Sequence, residues 1–142
     1  AGCDMAIASE KAQFGQPEIK LGIYPPPASV LFPRIMGSRR VFELVLSGDS
    51  IDAKEAERIG LINKAVPEEE LEKAADEFIG RFTANSGLAL SQARRALYRN
   101  FDLEFHQAME VTRIDSTAVM AGENGVEGLT AFVEKRKPVW KR

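Results

Sequence analysis

Residues 3–25 read CDMAIASEKAQFGQPEIKLGIYP, and this stretch decides how the chain begins to fold. Its first six residues are mostly apolar and contain neither Gly nor Pro, which predicts a buried strand over residues 3–8. A polar turn at residues 9–11 leads to a second short strand over residues 12–14. Six Gly and Pro residues then lie between Gly15 and Pro27, so we predict an ordered loop region there instead of a long helix.

The rest of the chain has the periodicity of helices. Apolar residues recur at helical spacing, and capping residues or Gly stops separate the periodic segments. One extended segment, residues 61–66, ends at Pro67. Two short strands followed by a run of helices predict an α/β or α+β arrangement, although two strands alone make an unstable sheet. The first predicted helix, residues 28–36, has a break at Pro33, and the second, residues 38–47, has Ser38 as its cap. The second helix carries Val41, Phe42, Val45 and Leu46 on one side. Further helices are predicted over residues 52–59, 67–82, 86–100, 104–120 and 123–137.

Composition and charge exclude several classes of protein. Apolar residues make up 44% of the 142 and the formal net charge is −2, which is typical of a soluble globular protein and gives no field that would attract nucleic acid. No apolar stretch is long enough to span a membrane. The single cysteine, Cys3, excludes an internal disulfide, and we expect it to be buried. We therefore predict a cytoplasmic protein that binds neither nucleic acid nor a membrane.

Few residues qualify as catalytic from local sequence alone. The common metal, nucleophile and phosphate-binding motifs are absent, and His106 is the only histidine, so we predict no metal site. Arg94, Arg95 and Arg99 share a helix and could meet phosphate, but a solvated helix face is the preferred interpretation. Glu18 stands out because it follows a strand end in a rigid Pro/Gly loop, where functional groups concentrate. Local context alone still leaves a solvated acid as the simpler interpretation of Glu18.

Four stretches, taken in order, change that interpretation. They are residues 3–25, FPRIMG at 32–37, LSGDSIDAKEAERIGLINKAVP at 46–67 and EGLTAFVEKRKP at 127–138. Together they resemble the enoyl-CoA hydratase/isomerase (crotonase) family over the whole chain. The ordered set is far more specific than any one of its members.

The resemblance implies a fold. The implied fold is the α/β crotonase-like spiral of ββα turns. This chain would hold the last turns of the spiral and the helical C-terminal region. In the family, that helical region makes trimers, which are often paired into hexamers. Residues 1–36 would form the end of the spiral core with the catalytic loop. Residues 37–142 would form the remaining core and the helical region, in one continuous unit without a linker. Earlier turns would precede Ala1, where the chain opens without an initiator Met like a cut through a longer protein.

The resemblance also implies a function, the addition of water to the double bond of an enoyl- or dienoyl-CoA thioester. Glu18 would act as the general acid/base, and no cofactor is needed beyond the CoA of the substrate. The oxyanion hole and a second glutamate would lie upstream of Cys3, so Asp4 is rejected as the partner acid. The acyl-CoA substrate would contact Pro17, Leu21, Tyr24 and Pro25, and the CoA of a neighbouring subunit would contact Phe132 and Lys135.

Three alternatives stay open at this point. Pro25-Pro26-Pro27-Ala28-Ser29 replaces the family's Gly-rich loop and is one residue shorter, which resembles dienoyl-CoA hydratases that act on cyclic acyl-CoA esters of anaerobic aromatic degradation. A Δ-isomerase would use Glu18 to move a proton between substrate carbons without adding water. The chain as given could also be an inactive fragment or assembly module that self-associates through apolar faces such as Phe105, Met109 and Thr112.

Overall fold

A computed structural model describes residues 2–141 of the chain. They form two compact units, Ala1–Glu77 and Phe78–Arg142, which we describe one at a time. The boundary between the units falls within a helix and not in a linker. The division into residues 1–36 and 37–142 that the sequence predicts is a different one, because it separates turns of the predicted spiral. It stays a prediction. No helix in the described part of the chain combines the length and the apolar character that crossing a membrane requires.

The first unit contains four short strands: β1 (Ile7–Ser9), β2 (Gln13–Gly15), β3 (Ser50–Asp52) and β4 (Lys64–Val66). β1 pairs in parallel with β4, and β2 pairs antiparallel with β3. The predicted strand at residues 12–14 and the extended segment at 61–66 are thus confirmed, each with shifted ends. Each pair joins segments far apart in sequence, so local sequence alone cannot complete either sheet.

The first predicted strand is shorter and more exposed than expected. β1 begins only at Ile7, and its three residues are half-buried. Cys3 lies before the strand and is exposed, so the prediction that its thiol is buried is wrong. The reason is that Gly2, Cys3 and Asp4 have no place in the ladder, whose register starts with Ile7 opposite Lys64.

β3 was not predicted, because its end residues look like a turn. Ser50 and Asp52 are polar, and Asp52 also caps the following helix by accepting the Glu55 N–H at 2.8 Å. Only Ile51 faces inward, where it packs on the buried cluster that includes Ala53 and Ala56. A single apolar residue does not produce the apolar/polar alternation by which a strand is predicted from sequence.

The helices of the first unit follow from prolines, glycines and apolar stripes. They are α1 (Pro26–Met36), α2 (Ser38–Ser47), α3 (Ala53–Arg58) and the first part of α4 (Leu71–Thr83), with two 3-10 helices, Pro17–Leu21 and Glu68–Glu70. The predicted break of α1 at Pro33 is wrong, since the helix runs through it. Burial of Ala28 and Phe32 against α2 offsets the cost of an internal proline, which is about 3 kcal/mol.

The start and the buried side of α2 differ from the sequence prediction. Gly37, at φ 79°, precedes the helix as its cap, so Ser38 is already helical and its side chain caps nothing. Phe42 is 63% exposed, and Leu46 is also exposed. The buried stripe at i, i+3 and i+4 is instead Val41, Leu44 and Val45, which packs against α1.

The second unit is helical and buries little of its apolar surface. Its helices are α5 (Gly87–Asn100), α6 (Phe105–Ala121) and α7 (Glu123–Val133), and the described tail continues to Lys141. α7 is shorter than predicted because residues 134–141 turn back along it. Among the described residues of this unit, only Ser86, Asn124 and Ala131 are buried.

Gly48 ties the end of α2 to the 3-10 helix Pro17–Leu21. It has φ 67°, and a Cβ added there would lie 2.8 Å from Cγ2 of Ile19. Gly22 ends that 3-10 helix with φ 77°, but an added Cβ would meet nothing within 4 Å. The two glycines therefore share a left-handed backbone and differ in the space around them.

We predict that Gly48→Ala lowers the free energy of unfolding more than Gly22→Ala does. Both variants carry the left-handed strain of about 1–2 kcal/mol, and Gly48→Ala adds a clash that must move Ile19, for a total of about 2–4 kcal/mol. Urea unfolding of both variants beside the parent measures the difference. Equal losses would contradict the close approach of Gly48 to Ile19.

Candidate active site

Glu18 is the second residue of the 3-10 helix that follows β2. Pro17 starts this helix and Gly22 ends it, with its N–H donating to the carbonyl of Ile19 at 3.1 Å. Lys20 Nζ contacts Asp49 Oδ1 at 2.8 Å, and Ile19 packs against Gly48. The backbone that carries Glu18 is therefore fixed on both sides, which is a requirement for a catalytic group.

One oxygen of the Glu18 carboxylate is buried without a hydrogen-bond donor among the described residues. The residue as a whole is half-buried, and the oxygen concerned is Oε2. A buried polar oxygen without a donor costs free energy, about 1–3 kcal/mol or more for a charged group. Such an oxygen is a natural site for a donor from a ligand or a water molecule.

A pocket of about 650 Å³ opens beside Glu18. Its lining comes from β2, the loop that follows it, the start of α1 and the facing side of α2, all within the first unit. Glu18 is the one charged side chain among the described lining residues, and Gln13, Gln16 and Tyr24 are the other polar side chains. The remaining lining residues are Gly2, Ala6, Phe14, Gly15, Ile23, Pro25, Pro26, Pro27, Ala28, Leu31, Phe32, Leu44, Leu61 and Ile62.

The structure brings together three of the predicted site residues of the first unit. Glu18, Tyr24 and Pro25 line the pocket. Pro17 and Leu21 do not line it, and Leu21 is 78% exposed. A role for these two residues in substrate binding stays a prediction.

Sequence reasoning missed the part of the lining that helices supply. Leu31 and Phe32 come from α1 and Leu44 comes from α2. These residues belong to ordinary apolar stripes, so only the position of α1 directly after the Glu18 loop could have marked them. Phe14 was the other available signal, because it lies in the strand that leads to the loop.

Phe132 and Lys135 lie in the second unit. Phe132 is 82% exposed near the end of α7, and Lys135 has φ 55°, a left-handed conformation that is uncommon outside Gly. Arg136 Nη1 and Nη2 donate to the two carboxylate oxygens of Glu127 at 2.6 and 2.9 Å. This paired contact holds the turn that contains Lys135, and a CoA contact of either residue stays a prediction.

Glu127 also fixes the tail that follows this turn. Oε1 accepts the Val139 N–H at 2.7 Å. Hydrogen bonds from Arg136 and from the Val139 N–H, with the positive charge of Arg136, lower the pKa of Glu127 from 4.5 to about 2. Beyond Val139, Trp140 Nε1 donates to the carbonyl of Ala84, and Asn124 exchanges hydrogen bonds with the Lys141 backbone.

The remaining candidates have structural surroundings. His106 is exposed and its ring stacks edge-on against Phe105. Arg99 pairs with Asp115 at 2.5 Å, and Arg94 lies over the ring of Tyr98. In the described part of the chain, no group of three or more His, Cys, Asp or Glu side chains is placed to hold a metal ion.

The comparison with known families agrees with this geometry. The family described as enoyl-CoA hydratase/isomerase matches residues 1–142. The chain belongs to this family. A comparison with solved structures confirms the predicted fold class. The crystal structure of the enoyl-CoA hydratase from Bacillus anthracis superimposes on this chain with a TM-score of 0.92 at 33% identity. The superposition covers 98% of this chain and 54% of the Bacillus anthracis chain.

The curated relatives that this chain matches are about twice as long. A probable mitochondrial enoyl-CoA hydratase of Dictyostelium discoideum is 38% identical over 139 residues, which cover 97% of this chain and 50% of the relative. The crotonyl-CoA hydratase of Syntrophomonas wolfei is 37% identical over 136 residues, which cover 95% and 52%. The chain therefore spans about half the length of the curated relatives that it matches, in agreement with the prediction that it corresponds to half of such an enzyme.

We predict that the docking of the tail weakens in acid as Glu127 is protonated. The folded-state pKa lies below the ordinary value, so the stabilisation is fully present above about pH 4.5 and is lost as the pH falls towards 2. Trp140 is the only tryptophan of the chain, so its emission reports the tail directly. We expect the emission to shift to longer wavelength over this range.

Glu127→Gln should show the shifted emission already at pH 7 and change little on acidification. Glu134→Gln is the matched control, since Glu134 contacts the same Arg136 at Nε but belongs to the tail itself. It should leave the emission at pH 7 close to that of the parent. An unchanged emission in Glu127→Gln would show that the tail does not depend on this carboxylate.

Proposed function

We propose that the intact protein adds water across the double bond of an enoyl-CoA thioester, with Glu18 as general acid/base. The observation that carries this proposal is the buried Oε2 of Glu18, which has no described donor and lies in a largely apolar pocket. Membership of the enoyl-CoA hydratase/isomerase family supports the choice of reaction. The names of the relatives from Dictyostelium discoideum and Syntrophomonas wolfei support it further.

In the proposed reaction, the Glu18 carboxylate carries at most one proton. Its carboxylate accepts a proton from water while the water oxygen bonds to the β-carbon of the thioester, and a proton is delivered to the α-carbon as the double bond is lost. Negative charge passes to the thioester oxygen during this step and needs backbone N–H donors nearby. We expect those donors and a second acid to come from sequence outside this chain.

The narrower proposal concerns the acyl group. Three prolines and Tyr24 line the pocket next to Glu18, where the family resemblance leads us to expect a flexible glycine-rich loop. A rigid, apolar surface suits a flat or cyclic acyl group better than a flexible surface would. We therefore propose that a cyclic dienoyl-CoA is among the substrates.

We also propose that the intact protein is a homotrimer or a hexamer of two trimers, needs no cofactor beyond the CoA of its substrate, and works in the cytoplasm. The assembly proposal rests on the apolar residues that the second unit leaves uncovered. Phe105 is 69% exposed and Met109 is 59% exposed on one side of α6. Thr112 is less available, because it is half-buried and hydrogen-bonded to Asn100 at 3.0 Å.

The catalytic role is tested by Glu18→Gln in the intact protein. The amide keeps the size of the side chain but cannot accept the proton, so we expect kcat/KM for crotonyl-CoA to fall by a factor of about 10²–10⁴. Glu69→Gln is the matched control, because Glu69 is exposed and does not line the pocket. Normal turnover by Glu18→Gln in a folded protein would end the assignment of Glu18.

The same assay separates the competing reactions. In water labelled with ¹⁸O, a hydratase places the label in the 3-hydroxyacyl product, whereas a Δ-isomerase moves the double bond and takes up no label. Turnover by the 142-residue chain alone would remove the interpretation of that chain as an inactive module. We expect none, because Glu18 would lack a polarised thioester to act on.

The assembly is tested by placing charge on the exposed side of α6. Phe105→Glu with Met109→Glu should shift the sedimentation of the intact protein from trimer or hexamer towards smaller species, because burying two charges in an apolar contact costs several kcal/mol. Gln107→Glu adds one such charge to another side of α6 and should leave the assembly unchanged. Unaltered sedimentation of the double variant would place the contact elsewhere.

A further inference from the structure

The start of α1 has an unusual chemistry for a helix N-terminus. The first residues are Pro25 as the cap and Pro26 and Pro27 as the first two helical residues. A helix normally presents four free N–H groups at this end, which attract anions. Proline has no N–H, so three of the four donors are absent by chemistry and only that of Ala28 remains. The Ser29 N–H is already used, since it donates to the Pro25 carbonyl at 3.1 Å.

These prolines line the pocket that contains Glu18. Pro25, Pro26, Pro27 and Ala28 all contribute to its wall. Glu18 lines the same pocket, with one buried carboxylate oxygen to which no described residue donates a hydrogen bond. The first unit thus presents a pocket with one acid, no described basic side chain and a helix start from which most donors have been removed.

An acyl group that carries its own carboxylate would meet two costs in such a pocket. Its charge would lose contact with water without gaining backbone donors, and it would come close to the like charge of Glu18. A neutral hydrocarbon acyl group meets neither cost and gains from contact with residues such as Tyr24, Leu31 and Phe32.

We infer that the three prolines at the start of α1 make this pocket selective for acyl groups without charge. Pro26 and Pro27 are specificity-determining residues in this inference, and they act by withholding backbone donors. The inference rests on the proposed function in one respect, namely that the pocket holds the acyl part of a CoA thioester.

The test compares two thioesters of equal length, pentanoyl-CoA and glutaryl-CoA, whose five-carbon acyl groups end in a methyl group and a carboxylate. Binding of each to the intact protein is measured by calorimetry, so that no turnover is needed. We expect the parent to bind pentanoyl-CoA at least about tenfold more tightly than glutaryl-CoA. Pro26→Ala with Pro27→Ala restores two N–H groups and should reduce this ratio about fivefold, with the single variants between.

Pro33→Ala is the matched control, because Pro33 lies in the same helix, is exposed and does not line the pocket. It should leave the ratio within about twofold of the parent. Thermal unfolding of each variant verifies the fold, and the single variants serve if the double variant does not fold. Equal binding of the two thioesters by the parent, no binding of either, or a ratio that the proline variants leave unchanged would overturn the inference.

The hydration assay keeps the two proposals apart. If the parent prefers pentanoyl-CoA and the proline variants reduce that preference, but no water is added to pent-2-enoyl-CoA, the proposed reaction fails and the selectivity stands. If water is added but the ratio does not respond to the prolines, the reaction stands and the selectivity fails.

Discussion

The parallel pairing of β1 with β4 is the constraint on which the first unit depends. It joins segments 57 residues apart, so closing the intervening chain costs considerable entropy. Asn63 extends the pairing by one step, since its side-chain Oδ1 accepts the Ala6 N–H at 2.8 Å and its own N–H donates to the Ala6 carbonyl at 2.7 Å. Part of the entropy cost is offset beneath the strands, where Ala53 and Ala56 of α3 are completely buried. Small residues allow this close approach of helix to strand.

The second strand pair, β2 with β3, positions the loop that contains Glu18. Gly15 ends β2 so close to β3 that an added Cβ would lie 2.9 Å from Ser50 Oγ and 3.1 Å from the Asp49 carbonyl. The chain leaves this contact at Gln16 and enters the 3-10 helix at once. Because Gly48 packs on Ile19, the short helix is anchored to the end of α2 and, through Gly15 before it, to the β2–β3 pair. The position of Glu18 therefore follows from two close backbone approaches, each of which requires a glycine.

The sequence was informative where local rules govern the structure and misleading where tertiary packing governs it. α3 begins after Asp52 and stops before Gly60, as the capping residues indicated. By contrast, Pro33 did not break α1, because Phe32 beside it is buried against α2. Glu18 itself was found through an ordered set of motifs and not through its neighbours. The pocket beside Glu18 could not be predicted in detail, since Leu31 and Leu44 reach it only after α1 and α2 have packed together.

The prolines at the start of α1 link folding and chemistry in one feature. For the fold, proline at the first helical positions costs little, because those N–H groups have no partner within the helix and the ring already fixes a helical φ. For a buried carboxylate, the same residues are poor neighbours, because they offer no N–H to Glu18 Oε2. A glycine-rich start would offer such donors. It would also be more flexible, so that it would lose more conformational entropy on folding. The triple proline thus stabilises the helix entry and leaves Glu18 Oε2 without a described hydrogen-bond donor, which is the condition that the proposed proton transfer needs.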